Sequence, residues 1–238
     1  MPVYNEAGVV EAVVQGLERD VLGPFGPDCR LLVVDDASTD GTSQLLRRLA
    51  DGNSQIQVER FEHNAGHGPA VSRGLDLAQA DWIFQLDSDG QFDTRDFAKL
   101  WERREDADLV IGIRRPRIDP LHRLVLGAVV RAVVSLLAGR RLADPNAPFR
   151  LLRRELWEES RSFLPPVPLA PSIFVTLVAA VRGRRIAEIP VRHLARARGG
   201  SSLRAFRLIR FSAAGLRQLV AVRLALTRAK PAAKTGLF

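Results

Sequence analysis

The densest concentration of chemistry in this chain is Asp87-Ser88-Asp89-Gly90-Gln91. Two carboxylates two residues apart, just past the apolar run Trp82 to Leu86, share a face in extended geometry and can converge on one hard cation. A divalent ion held by so few protein ligands keeps coordination positions open for other oxygens, such as those of a diphosphate. The same residue types also build an ordinary surface turn, so this spacing alone leaves both readings standing. A second acidic group, Asp35-Asp36, closes the run Leu31 to Val34 and leads through Ala37, Ser38, Thr39, Asp40, Gly41 and Thr42 into helical sequence. Ser38, Thr39 or Asp40 can cap exposed amides there, and capping accounts for Asp40 better than for Asp36.

The elements that must hold these groups follow from periodicity. Short β-rich runs occur at Leu31 to Val34, Ile56 to Val58, Trp82 to Leu86, Leu109 to Ile111 and Ile186 to Val191. Between the earlier runs lie segments with helical spacing: Val10, Val13, Val14 and Leu17; then Leu45, Leu46 and Leu49; then Ala70, Leu75 and Ala78. Strand and helix in alternation predict an α/β fold with a mostly parallel sheet flanked by helices. Such sheets bind ligands beyond the carboxyl ends of their strands, where both acidic groups fall. From Asp119 onward the pattern becomes an apolar helix with arginines, a loop rich in proline (Pro165, Pro166, Pro168, Pro171), another helix, a strand and a basic tail.

Composition bounds the rest. At 238 residues and 46% hydrophobic content the chain can bury a large core, which excludes intrinsic disorder. Its one cysteine, Cys29, excludes an intrachain disulfide framework and a site of several cysteines, and points to an intracellular location. The first residues lack a basic and apolar leader, so no export signal is expected. Leu124 to Gly139 is interrupted by Arg131 and is shorter than the ~20 apolar residues that cross a bilayer. With 35 Lys and Arg against 27 Asp and Glu, the net charge of +8 suggests an anionic partner: nucleic acid, lipid or a phosphorylated substrate. His63, His67, His122 and His193 show no spacing of metal ligands, so none is expected to be a ligand, and His193 is expected to be a packing or loop residue.

Taken in order, Pro2-Val3-Tyr4-Asn5-Glu6, Val33 to Thr42, Asn64-x-Gly66-x-Gly68-x-Ala70 and Asp87 to Gln91 resemble a family 2 glycosyltransferase with the Rossmann-like GT-A fold. Gly112-Ile113-Arg114, Arg117-x-Asp119-Pro120, Asp144 with Phe149-Arg150-Leu151, and Glu188 to Ser201 are similar to the dolichyl- and polyprenyl-phosphate mannose synthase-like branch. That resemblance covers residues 2 to 204. It implies that Pro2, Tyr4, Glu6, Val34 and Asp36 hold the base and ribose of a nucleotide sugar. Asp87, Asp89 and Gln91 would surround Mg2+ or Mn2+, with Ser88 beside the donor. Arg114 and Arg196 would hold phosphate groups, and Ser202 stands near the diphosphate where relatives often carry Lys, a charge that Arg198 or Arg204 could replace. It further implies residues 1–202 as the GT-A domain, with a nucleotide-sugar half to residue 115 and an acceptor half from residue 116. Residues 203–229 would be a basic amphipathic helical tail and 230–238 a disordered end.

A polyprenyl phosphate acceptor is itself an anionic nucleophile, so arginines that position it matter more than a general base. Arg117, Arg123 and Arg131 are the candidates, with Asp144 as orienter, base or simple helix-end turn residue. Arg123, Gly127, Arg131 and Ser135 form a polar stripe at four-residue spacing, which suits a helix lying on a bilayer or a core helix with snorkelling arginines. On 203–229, Leu208, Phe211, Leu219, Val222 and Leu226 share one arc while Arg207, Arg210, Arg217 and Arg228 share another, a pattern shared with any helix packed on a domain but whose excess of Arg favours peripheral contact with a membrane surface. The resemblance places that contact on the cytoplasmic face. Only Met1 precedes Pro2, so the family's first strand is expected to be missing or truncated. Relatives often carry transmembrane helices after this domain, so a membrane-protein partner is a further expectation.

The leading expectation is a metal-dependent inverting transfer of a hexose from GDP-mannose or a UDP-sugar to a polyprenyl phosphate. A saccharide or metabolite acceptor is the alternative within the enzyme class, and a non-catalytic basic scaffold the alternative outside it. With aromatic content at 6% and no basic patch interleaved with aromatics, nucleic acid is not an expected partner.

Overall fold

The computed structural model describes residues 1–115, 121–195 and 205–229, with side chains of 121–123 and 205–212 outside the description. The expected sites Arg117, Arg196 and Ser202 lie outside the described residues, as do Arg198, Arg204 and 230–238. The side chains of Arg123, Arg207, Leu208, Arg210 and Phe211 lie outside them too.

Strand and helix alternate as the periodicity predicts. The first half runs β1 (Pro2–Val3), α1 (Val10–Leu17), the helical turn α2 (Gly23–Phe25), β2 (Leu31–Asp35), α3 (Thr42–Gly52), β3 (Ile56–Arg60), α4 (His67–Leu77) and β4 (Trp82–Gln85). It continues with α5 (Phe97–Glu102), β5 (Leu109–Arg115), α6 (Leu121–Ala138), β6 (Arg150–Arg153), α7 (Arg154–Arg161), α8 (Pro171–Val181), β7 (Ile186–Arg192) and α9 (Ala205–Arg228). Among the described residues the strands form two sheets, β1-β2-β3 and β4-β6-β5-β7. The first is parallel throughout; in the second, β6 runs antiparallel to β4 and β5 while β5 and β7 are parallel.

Both faces of the second sheet are covered. Along β5, Val110 packs into one core cluster with α1 and α3 residues such as Val14 and Leu46, while Leu109 and Ile111 pack into another with Phe174 and Leu177 of α8. Side chains alternate faces with period two, so a strand that is apolar at every position must be buried on both sides. Helix α8 is apolar nearly all round, with Phe174 and Leu177 at 0% exposure, and each such side chain stabilises by roughly 1.5–3 kcal/mol. Pro171 opens it at a position where a missing N–H costs nothing.

Three features refine the sequence expectation. The first strand, expected to be missing or truncated, is formed over two residues: Pro2 and Val3 pair with Val34 and Asp35, and the Val34 and Asp36 amides donate to Met1 O and Val3 O, each at 2.9 Å. β1 and β4 nevertheless pair with no common strand, so the sheet stands in two pieces with these strands at their edges. Strand β6 and helix α7 carry no early signal, because Arg150-Leu-Leu-Arg153 is four residues long and runs straight into helix. Finally, the apolar arc of α9 is not the exposed one. Leu219, Val222 and Leu226 are 6%, 2% and 4% exposed and pack into the α8 cluster, while Leu216, Val220 and Leu224 face outward. An amphipathic pattern gives the width of a stripe, not what covers it.

Candidate active site

The carboxyl end of β2 is fixed by reciprocal bonds between two loops. Asp35, fully buried, accepts from the Ser38 amide at 3.0 Å and from the Ser43 hydroxyl, and lies 3.3 Å from Arg60 Nε. Asn5 and Ala37 stand in the left-handed region at φ 54° and 60°, each costing about 1–2 kcal/mol. The compensation is local. The Asn5 amide donates to Ser38 Oγ at 3.0 Å, the Thr39 amide to Asn5 Oδ1 at 2.8 Å, and the Glu6 amide to Thr42 Oγ1 at 3.0 Å. At about 1 kcal/mol apiece these bonds offset the strain. Asp40 accepts from the Thr42 amide at 3.1 Å, which is the capping role expected of it. Pro2 and Val34 are buried strand partners, whereas Tyr4 stands 47% exposed.

Asp36 holds a third loop. Its Oδ1 accepts from the Ala65 amide at 2.7 Å; its Oδ2 accepts from the Gly66 amide and Asn64 Nδ2, both at 2.9 Å. Three donors on a group with about four acceptor sites leave about one for a ligand. Just beyond, a Cβ on Gly68 would lie 1.9 Å from Pro168 O, so only glycine lets α4 approach this closely. Between the two anchors sits His67, with its side chain 57% exposed and its Nε2 3.8 Å from Asp87 Oδ1.

At the carboxyl end of β4, Asp87 Oδ1 is buried and has no hydrogen-bond partner among the described residues. Such an atom costs about 1–3 kcal/mol unless a cation or donor meets it. Ser88 is 5% exposed, and Asp89 Oδ1 accepts from the Gln91 amide at 3.1 Å. The Leu194 amide donates to Gln91 O at 2.8 Å, and Phe92 bridges His193, whose ring stands edge-on to Phe92 with centroids 5.6 Å apart. His193 thus packs, as expected. Among the described residues no three His, Cys, Asp or Glu side chains group closely enough to hold a metal ion. The buried, unsatisfied Asp87 oxygen fits a cation shared between few protein ligands and a diphosphate.

At the carboxyl end of β5, Arg114 and Asp144 make a bidentate pair, Nε to Oδ2 at 2.7 Å and the second nitrogen to Oδ1 at 2.9 Å. The Ala143 amide donates to Glu188 Oε1 at 2.7 Å, which fixes the turn carrying Asp144. Arg150 is wholly buried. It donates to Ser172 O at 2.6 Å and to Thr176 Oγ1 and Pro145 O at 3.0 Å, and it also bonds Ala147 O. Burial lowers its pKa to about 10, an effect opposed by Asp144 and Asp87, so it stays charged at neutral pH. Gln85 and Ser172 bond each other at 2.8 Å, so one network joins β4, β6, α8 and the Asp144 turn. Arg131 is exposed on α6, and Ser135 accepts from the Leu142 amide at 3.1 Å.

The structure therefore brings together Asp36 with Asn64 to Gly66, His67 with Asp87, Gln91 with Leu194, and Arg114 with Asp144. Arg150 and Glu188 lie inside motifs named from the sequence, yet spacing could not show that their side chains brace the Asp144 turn. His67 occupies a position between two glycines that carries no signal of its own.

The mixed α/β architecture, with its parallel three-stranded sheet and flanking helices, matches the GT-A fold of solved glycosyltransferases. The chain belongs to glycosyl transferase family 2, whose model matches residues 1–159. It is similar to undecaprenyl-phosphate 4-deoxy-4-formamido-L-arabinose transferase of Klebsiella pneumoniae (strain 342), 25% identical over 211 residues that cover 88% of this chain and 63% of the relative. The same enzyme of Salmonella paratyphi B is 26% identical over 213 residues with the same coverage. The chain thus spans 63% of the length of these curated relatives. Among solved structures, glucosyl-3-phosphoglycerate synthase from Mycobacterium tuberculosis, in complex with Mn2+, UDP-glucose and phosphoglyceric acid, matches with a TM-score of 0.62 at 22% identity, over 97% of this chain and 79% of that one. A mannosyltransferase from Pyrobaculum calidifontis in complex with GDP-mannose and Mn2+ matches with a TM-score of 0.63 at 23% identity, over 96% and 63%.

Proposed function

We propose that this chain binds a nucleoside diphosphate sugar beyond the carboxyl ends of β2 and β4 and transfers its hexose, with inversion, to a polyprenyl phosphate. The observation that carries the reading is the buried Asp87 oxygen with no hydrogen-bond partner, next to Asp89 at a strand end. Family membership and the lipid-phosphate acceptor named for the curated relatives support it.

In this reading an acceptor phosphate oxygen attacks the anomeric carbon from the face opposite the nucleotide, and the bond to the diphosphate breaks. Asp87, Asp89 and Gln91 would hold Mg2+ or Mn2+, which when bound neutralises charge on the departing diphosphate. Pro2, Tyr4, Glu6, Val34 and Asp36 form the base and ribose end, and Arg114 faces phosphate, its guanidinium oriented by Asp144. Arg117, Arg131, Arg196 and Ser202 complete the phosphate contacts. No general base is required, because the nucleophile arrives ionised.

Among the described residues no helix is long and apolar enough to cross a membrane. Val125, Val129 and Leu136 on α6 and Leu216, Val220 and Leu224 on α9 are exposed, and Arg131, Arg140, Arg217 and Arg228 are exposed on or beside the same helices. Outward apolar residues with cationic neighbours suit peripheral contact with an anionic lipid surface. A phosphorylated soluble acceptor is the second reading, favoured by the phosphoglyceric acid held by the solved synthase. Offering polyprenyl phosphate in detergent and phosphoglycerate side by side separates the two: transfer to the lipid alone supports the first, and transfer to the soluble acid alone replaces it.

A further inference from the structure

We propose that His67 supplies a nitrogen ligand, through Nε2, to the divalent cation held by Asp87; the inference rests on the metal reading of the Asp87 turn. Three observations converge on it. Asp87 Oδ1 is buried without a hydrogen-bond partner among the described residues, and His67 Nε2 lies 3.8 Å from that same atom. Two donors each about 2.1 Å from one ion lie about 3.0 Å apart at right angles and about 4.2 Å apart when opposed, so the pair has the span of two ligands to one ion. At 3.8 Å it is also too long for a direct hydrogen bond.

The backbone that presents His67 is held on both sides. The Asp36 carboxylate accepts from the Ala65 and Gly66 amides at 2.7 and 2.9 Å, and Gly68 abuts Pro168 O. The imidazole itself is 57% exposed, so no core packing accounts for its direction. A rigid base carrying an accessible imidazole toward an unsatisfied carboxylate oxygen is what a ligand position requires. The two acidic groups thereby become one unit: Asp36 positions the loop, and the loop delivers His67 to Asp87.

Mg2+ takes oxygen ligands almost exclusively, whereas first-row transition ions accept imidazole nitrogen, so a His67 ligand disfavours Mg2+ relative to Mn2+. The test is Mn2+ binding followed by electron paramagnetic resonance, with pulsed detection of nitrogen coupling, on wild type, His67→Gln and Asp87→Ala. Nitrogen coupling in wild type that disappears in His67→Gln, with affinity falling by at least the roughly tenfold lost when a supporting residue is removed, supports the assignment. Coupling that persists in His67→Gln, or is absent from Mn2+-loaded wild type, overturns it while leaving the Asp87 site intact. Mn2+ binding that is absent from wild type, or unchanged in Asp87→Ala, overturns both readings. Circular dichroism and thermal melting of each variant establish that it is folded.

Discussion

Arg114 and Asp144 form a bidentate ion pair across 30 residues of sequence, with side chains 15% and 5% exposed. The motifs suggest separate roles, a phosphate holder and an orienter or base, yet the two side chains are paired, with both Asp144 oxygens accepting from Arg114.

Removing one partner of a mostly buried pair strands the other. Asp144→Ala is expected to cost about 3–5 kcal/mol in urea unfolding, and Arg114→Ala a similar amount. The double variant should cost clearly less than the sum, because the stranded charge is gone. Strict additivity would show that the two do not depend on each other.

Arg150 should be harder to replace than its strand position suggests. Arg150→Leu strips the guanidinium donors from Ala147 O and leaves Pro145 O and Ser172 O to share the single Thr176 hydroxyl proton, at about 1–3 kcal/mol for each buried carbonyl left unpaired. The expected result is a loss of roughly 3 kcal/mol or more, or a chain that does not fold. A change under 1 kcal/mol would contradict the network.

Gly68→Ala is a test of close packing alone. Its Cβ would fall 1.9 Å from Pro168 O, a backbone atom that cannot swing away. Overpacking of this kind costs typically 1–3 kcal/mol, read as a lower melting temperature. Gly139→Ala is no control for it, since φ there is +67° and strain would enter instead.

Acid should unfold the protein through specific carboxylates. Hydrogen bonding from Arg95 holds Asp93 below the ordinary carboxylate value. Burial pushes Asp96 and Glu159 upward, but Arg192 with Lys99, and Arg184 with Arg182, outweigh it and hold both low. A carboxylate with a lowered folded pKa contributes stability that is fully present above its unfolded pKa of about 4 and is lost as pH falls through the folded value. The urea midpoint is therefore expected to hold near neutrality and fall steadily below about pH 4, with Arg192→Ala showing a shallower fall. A midpoint flat to pH 2 would contradict this.

How much was legible follows from what each signal encodes. The strands Leu31 to Val34 and Leu109 to Ile111 are apolar at every position, so their burial on both faces was readable, as was the capping role of Asp40. Strand β6 was not, because Arg150-Leu-Leu-Arg153 has charged ends: the partners of Arg150, Ser172 and Thr176, come from a helix some twenty residues on, and Arg153 pairs with Asp108 just before β5. The α9 stripe was visible but its partner was not: Leu219, Val222 and Leu226 meet α8, a contact that only the tertiary fold creates. His67 shows the limit most plainly, since its relation to Asp87 depends on a loop held by Asp36.

The most direct test of the central claim is turnover of GDP- and UDP-sugars by wild type and Asp87→Ala, with Mn2+, Mg2+ or chelator, with and without polyprenyl phosphate in detergent. Turnover by wild type is expected to need the metal, to rise with the lipid and to be lost in Asp87→Ala. Folded wild type that neither binds nor turns over any nucleotide sugar, or turnover indifferent to metal and to Asp87, would contradict that claim.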